Sequence, residues 1–254
     1  MSQLEYALLS LGAVAAWLAV YRLPFGDAAR RRRVALWLAD RTGRHPDAAF
    51  AVFATVLYLG LGVIVLVVLA MSADLAAGDL IGSVHAVTFP AFLLALFGTS
   101  SLNILSVSLL YRAKPTVDVP GEISRIRWIA SILALPRANR WIIPATAALV
   151  EELVFRGVIF VGLGSLGSGF VVACTVSTLM FVAGQVVLVS TPVQAYVMGS
   201  SSVALGVVGC LLTAATGSIV PAVLLHTSFA GFYTNMSVAS GNTRNTSALR
   251  GAHQ

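Results

Sequence analysis

Long apolar runs separated by short polar segments dominate the chain. Seven of these runs approach the length of about 20 residues that an α-helix needs to cross the hydrocarbon core of a bilayer. The runs lie near residues 4–23, 50–71, 87–111, 141–163, 169–190, 195–216 and 218–238. The pattern predicts an all-α polytopic membrane protein with about seven transmembrane helices.

The spacing of the runs divides the chain into four parts. Residues 1–112 hold three N-terminal spans, and residues 113–140 form the longest polar loop. Residues 141–238 pack four spans with very short connections, so we expect them to form one functional core. The polar stretch 239–254 is expected to be a disordered cytoplasmic tail.

The long polar loop contains its own pattern. Between residues 122 and 135, isoleucines at helical spacing alternate with Arg125 and Arg127. This pattern predicts a short amphipathic helix on the cytoplasmic membrane surface, with its arginines near anionic headgroups. An ordinary connecting helix fits a segment this short equally well.

Composition supports the membrane assignment. The chain is 58% hydrophobic and 10% charged, whereas soluble domains carry about 25% charged residues. Its mean hydropathy is +0.90. Cys174 and Cys210 both fall within apolar runs, where they are typical of small core residues, and neither a disulfide nor a metal site is expected from them.

The net charge of +6 does not indicate nucleic acid, because the basic residues gather in alternate loops. They follow the first, third and seventh runs, whereas the intervening loops contain no arginine or lysine. The positive-inside rule then places the N-terminus outside and the C-terminus in the cytoplasm. Fifteen arginines against one lysine, with abundant Ala and Val, indicate a GC-rich bacterial genome. We therefore expect a bacterial inner membrane, with membrane lipid as the environment.

The fourth run holds the candidate chemistry. Glu151 and Glu152 are adjacent and are followed by Arg156, and no other acidic residue occurs after Ser124. A charged side chain at the bilayer centre costs roughly 2.5 to 3.5 kcal/mol, so these charges indicate a functional site. The alternative is a buried ion pair that only fixes helix packing.

Helical geometry separates the two carboxylates. Glu152 and Arg156 are four residues apart on one face, in the orientation that favours an ion pair. Glu151 points about 100° away and lacks a partner on its own helix, so it is suited to act as a general base on water. The predicted partner of Glu151 is His226, which lies roughly two turns into the last run; a core histidine bonded across helices is the alternative.

These residues resemble the three motifs of the CAAX-protease and bacteriocin-processing (CPBP or Abi) membrane proteins. The family signature is E-E-x-x-x-R, then F-x-x-x-H, then H-x-x-x-N or D, on successive helices. The chain has Glu151-Glu152 with Arg156, then Phe181 with Gln185, then His226. The resemblance covers about residues 141–236 and implies an all-helical fold with peptide-bond cleavage at the membrane.

The resemblance also implies a role for each matching residue. Glu151 corresponds to the glutamate that activates water, and Glu152 and Arg156 correspond to its structural or substrate-orienting neighbours. His226 corresponds to the histidine that stabilises an oxyanion. No metal or other cofactor is carried over from the family.

Two positions depart from the family pattern. Gln185 stands where the second motif has histidine, and Ala230 stands where the third has Asn or Asp. A glutamine can hydrogen-bond a water but cannot take its proton at neutral pH. Loss of an oxyanion donor can reduce the rate by about 10²- to 10³-fold.

The sequence therefore supports two functions. One is an intramembrane peptidase in which Glu151 activates water, His226 polarises the scissile carbonyl and Gln185 orients the water. The other is a pseudoprotease scaffold that stabilises or regulates a membrane-protein partner. A peptide substrate is the expected partner in the first case, and nucleic acid is expected in neither.

Overall fold

The computed structural model describes residues 1–133, 135 and 140–231, and every regular element in that part of the chain is helical. In chain order the helices are α1 (Gln3–Arg22), α2 (Ala28–Thr42), α3 (Pro46–Ser72), α4 (Ala77–Ile81), α5 (Thr88–Ala113), α6 (Val119–Ser124), α7 (Arg127–Leu133), α8 (Ile142–Glu152), α9 (Gly162–Ser165), α10 (Phe170–Val186), α11 (Pro192–Thr216) and α12 (Val220–Gly231). A 3₁₀ turn at Leu23–Phe25 follows α1, and a π-helical segment at Leu153–Val161 joins α8 to α9.

Four helices among the described residues are long and apolar enough to cross a membrane. They are Gln3–Phe25, Pro46–Ser72, Thr88–Ala113 and Pro192–Thr216. The helices α10 and α12 are apolar but shorter. The run predicted near 141–163 is helical from Ile142 to Ser165, although its middle carries three charges. The prediction of an all-α polytopic membrane protein is confirmed.

The segment after the first span differs from the predicted loop, because it forms the 15-residue helix α2. Asp27 caps the helix by accepting a hydrogen bond from the backbone of Ala29 at 2.9 Å, and Gly43 ends it in the left-handed conformation. Of its side chains only Ala35 is buried. A helix with so small a buried face lacks the apolar periodicity that would have predicted it.

The long polar loop contains two short helices, α6 and α7. All four of its isoleucines are buried, namely Ile123, Ile126, Ile129 and Ile132. Ile123, Ile126 and Ile129 pack with Leu110 of α5 and with Val197 and Met198 of α11. The apolar face of this segment is therefore covered by the protein's own helices.

The π-helical segment is the irregular centre of the bundle. π-Helical turns are rare and occur frequently at functional sites. Two of its carbonyls accept hydrogen bonds from other helices: Tyr6 of α1 donates to Val158 at 2.6 Å, and Ser177 of α10 donates to Phe155 at 2.6 Å. Since lipid offers no hydrogen bonds to the backbone, such contacts stabilise a distorted helix within a membrane.

The segment around α4 is tied to the turn before α12. The carbonyl of Ile81 accepts hydrogen bonds from the hydroxyl of Ser218 at 2.8 Å and from the backbone of Ile219 at 3.1 Å. Gly82 has a φ of +70°, and a Cβ there would lie 1.8 Å from the carbonyl oxygen of Gly217. This junction therefore requires glycine at position 82.

The predicted tail at 239–254, and the end of the last predicted span beyond residue 231, lie outside the described residues.

We expect Gly82→Ala to lower the free energy of unfolding by about 2 kcal/mol or more, since a non-glycine residue in this sparsely populated backbone region alone costs about 1 to 3 kcal/mol. Gly78→Ala is the matched control, because a Cβ at Gly78 meets no atom within 4 Å. Alanine also favours helix over glycine by up to about 1 kcal/mol. Unfolding in detergent micelles measures both changes, and equal stability of the two variants would contradict the prediction.

Candidate active site

The five residues singled out in the sequence come together in one connected cluster. Glu151 and Glu152 end α8, and Arg156 lies one turn further along in the π-helical segment. Gln185 projects from α10 and His226 from α12. Hydrogen bonds and ion pairs link all five side chains.

Glu152 and Arg156 form the predicted ion pair. The Nη1 atom of Arg156 lies 3.0 Å from Oε1 of Glu152, and the side chains are 0% and 2% exposed. The guanidinium also donates from Nη2 to the carbonyl of Leu205 at 3.0 Å and lies 4.4 Å from the ring centroid of Phe181. A pair this buried is held in one geometry by contacts on several sides.

His226 lies between the two carboxylates, but its hydrogen bond differs from the one predicted. Its Nδ1 atom lies 2.8 Å from Oε1 of Glu152, whereas its Nε2 atom lies 3.6 Å from Oε2 of Glu151. The ring meets Phe181 edge to face, with centroids 5.2 Å apart. An ionised Glu152 accepts a hydrogen bond from Nδ1, so it fixes the ring and turns Nε2 towards Glu151.

Glu151 has two hydrogen-bond donors from other helices. The hydroxyl of Tyr58 donates to Oε1 at 2.6 Å, and the amide of Gln185 donates to Oε2 at 2.7 Å. Tyr58 was not predicted from the sequence, because it lies in α3, far from the three motifs. A tyrosine inside an apolar span is a weak signal by itself, although a buried tyrosine hydroxyl usually finds a partner.

The carboxylates face different surroundings. An apolar cavity of about 110 Å³ is lined by Glu151, Gln185 and His226 together with Ala230. Neither Glu152 nor Arg156 contributes to its wall. The geometry therefore separates an ion pair sealed inside the bundle from a glutamate and an imidazole that face the cavity.

The remaining cavity wall is mostly apolar and comes from several helices. Its larger members include Phe25, Trp128, Ile132, Leu188, Met198 and Phe229. Within residues 1–133, 135 and 140–231, no group of three or more His, Cys, Asp or Glu side chains is arranged to hold a metal ion.

The fold and the cluster define a class: a helical membrane protein with a buried glutamate pair, arginine and histidine beside an apolar cavity. Residues 135–232 match the family model described as Type II CAAX prenyl endopeptidase Rce1-like. The match covers less than half of the chain, and it confirms the resemblance to the CPBP family seen in the sequence. No curated protein and no solved structure matches the chain.

The matched region contains all five residues of the cluster and supports a membrane protease-like function. Tyr58 and the other residues that α3 contributes to the cavity lie outside it.

The ion pair generates a prediction at Gly209 of α11. A Cβ at Gly209 would lie 2.8 Å from Nε of Arg156, whose guanidinium cannot move without losing its contacts. We expect Gly209→Ala to lower the free energy of unfolding by about 1 to 3 kcal/mol, the usual effect of overpacking.

Gly199→Ala on the same helix is the matched control, since the nearest atom to its Cβ would be 3.9 Å away. Thermal unfolding in detergent compares the two variants. Equal stability of Gly209→Ala and Gly199→Ala would contradict the close packing of Arg156 against α11.

Proposed function

We propose that the protein is a membrane-embedded peptidase in which Glu151 acts as a general base on water. The observation that carries the proposal is the pairing of Glu151 Oε2 with His226 Nε2, 3.6 Å apart, on the wall of one cavity. Glu152 holds His226 at Nδ1, and Arg156 in turn pairs with Glu152. General-base catalysis requires a carboxylate within hydrogen-bond reach of the water that it activates.

The geometry supports the following sequence of steps. A water bound between Glu151 and His226 gives a proton to Glu151 and attacks the carbonyl carbon of the scissile bond. His226 faces the developing oxyanion with Nε2 and polarises the scissile carbonyl, while the Glu152 carboxylate holds the ring at Nδ1. Glu151 then returns the proton to the departing nitrogen, and the peptide bond is cleaved.

Gln185 replaces the histidine of the family motif, and its contact supports a role in holding the base. Its amide nitrogen donates to Glu151 at 2.7 Å. Its amide oxygen can accept a hydrogen bond from the attacking water, because a glutamine side chain is both donor and acceptor. Gln185 would thus orient the water and the carboxylate together.

The cavity wall supports a substrate with apolar groups beside the scissile bond, since the polar groups cluster around Glu151 and the rest is apolar. We place the protein in a bacterial inner membrane, with the N-terminus outside and the C-terminus in the cytoplasm. The loop arginines support this orientation.

We expect Glu151→Gln to reduce peptide hydrolysis by about 10²- to 10⁴-fold, because it removes the base while it keeps the size of the side chain. The measurement is mass spectrometry of new peptide termini after incubation of proteoliposomes with a peptide library. Glu5→Gln is the control, since Glu5 is exposed and lies outside the cavity.

The unfolding temperature of Glu151→Gln has to match that of the wild-type protein, so that lost turnover is not lost folding. Hydrolysis retained at the wild-type rate by the folded Glu151→Gln variant would remove Glu151 from the chemistry.

A second candidate function is a pseudoprotease scaffold, and the side chain at position 230 favours it. Ala230 lines the cavity where the family pattern has Asn or Asp, so that position supplies no side-chain donor to an oxyanion. A scaffold of this kind would hold a membrane-protein partner without cleaving it.

The two functions differ in what the protein retains from native membranes. A peptidase is expected to trap a substrate in Glu151→Gln but not in the wild-type form, whereas a scaffold holds its partner equally in both. A tagged pull-down with both forms makes the comparison.

If the protein is a pseudoprotease, we expect the double variant Gln185→His with Ala230→Asn to hydrolyse peptides that the wild-type protein does not cleave. The double change restores both residues that depart from the family motifs. The peptide-library assay measures this gain. A correctly folded double variant that cleaves no peptide would contradict the view that these two positions alone account for the loss of activity.

A further inference from the structure

We propose that Tyr58 of α3 is a positioning residue for Glu151, so that the site is complete only with a helix outside the matched region 135–232. The inference rests on the proposed function, because it assigns a role in the same reaction. Its structural part, a hydrogen bond that orients the carboxylate, can be tested without turnover.

Each oxygen of Glu151 is held by a donor from a different helix. Tyr58 donates to Oε1 from α3 at 2.6 Å, and Gln185 donates to Oε2 from α10 at 2.7 Å. Rotation about the last side-chain bond is normally broad for a glutamate. Two donors on separate helices remove that freedom and fix the carboxylate plane, with Oε2 on the side of His226.

Tyr58 is itself held firmly by α1. The indole nitrogen of Trp17 donates to the backbone carbonyl of Tyr58 at 3.1 Å, and the two rings pack with centroids 4.8 Å apart. Tyr21 packs against the same ring at 4.7 Å. A rigid aromatic contact gives the hydroxyl one position, which is what orientation of a catalytic group requires.

The role is positioning because the hydroxyl reaches the reaction only through Glu151. His226 faces Oε2 of Glu151, so the water of the proposed reaction would lie on that side, whereas Tyr58 binds Oε1. A misaligned base affects the chemical step more than substrate binding, so the effect belongs in kcat.

The first arm of the test is kinetic. Tyr58→Phe keeps the ring and removes only the hydroxyl, and we expect kcat for peptide cleavage to fall about tenfold or more while KM changes less than about threefold. Tyr196→Phe is the matched control, since its hydroxyl also links two helices, by bonds to Ser106 of 3.2 and 3.1 Å, but it lies outside the cavity. We expect that variant to keep both constants.

The second arm is an infrared difference spectrum that needs no substrate. Subtracting the spectrum of Glu151→Gln from that of the wild-type protein isolates the carboxyl band of Glu151. Loss of the tyrosine hydrogen bond is expected to shift this band in Tyr58→Phe and to leave it unchanged in Tyr196→Phe.

The two arms separate the failure of this inference from the failure of the proposed function. An unshifted band in Tyr58→Phe overturns the positioning role, and so does an unchanged kcat in an enzyme that Glu151→Gln inactivates. A shifted band in a protein that cleaves no peptide upholds the contact, refutes the peptidase, and overturns the kinetic role of Tyr58.

Discussion

The buried contact between Glu152 and Arg156 is the interaction on which the rest of the site depends. Removing one partner of a buried ion pair costs about 3 to 5 kcal/mol, because the other charge is left without compensation. Each charged group has a second hydrogen-bond partner. His226 contacts the Glu152 carboxylate, and the Leu205 carbonyl accepts from the Arg156 guanidinium. The pair therefore fixes the imidazole and joins the π-helical segment to α11.

The burial of Glu152 with Arg156 determines the environment of the neighbouring Glu151. Consecutive residues of a helix point about 100° apart, so a helix that seals Glu152 inside the bundle directs Glu151 elsewhere. Here it faces an apolar cavity, where donors on α3 and α10 hold it. The matched region 135–232 supplies only one of those donors, Gln185, and the N-terminal helices supply the other. The helix α3 thus contributes a hydrogen-bond donor to Glu151 as well as packing.

The sequence predicted what local patterns encode, namely the long apolar spans and the ion pair at helical spacing. The motif resemblance indicated five candidate site residues, and the structure brings their side chains into one cluster. The sequence did not predict contacts that depend on how helices pack. Tyr58 is nearly a hundred positions from Glu151 in the chain, and no local sequence pattern links two residues so far apart. The position of His226 along its helix was predicted from the sequence. Its hydrogen bond to Glu152 instead of Glu151 was not predicted, because it depends on how the last helix packs. The helix α2 was missed because its polar sequence has almost no buried face.

The central claim is that a water activated by Glu151, rather than Glu151 itself, attacks the scissile bond. Single-turnover cleavage in ¹⁸O-labelled water, with the protein in excess over peptide, tests it directly. Direct attack by water predicts one ¹⁸O atom in the new carboxyl terminus of the product, detected by mass spectrometry. A product of the first turnover that carries only unlabelled oxygen, transferred from a carboxylate of the protein, would contradict the account, and so would the absence of any cleavage.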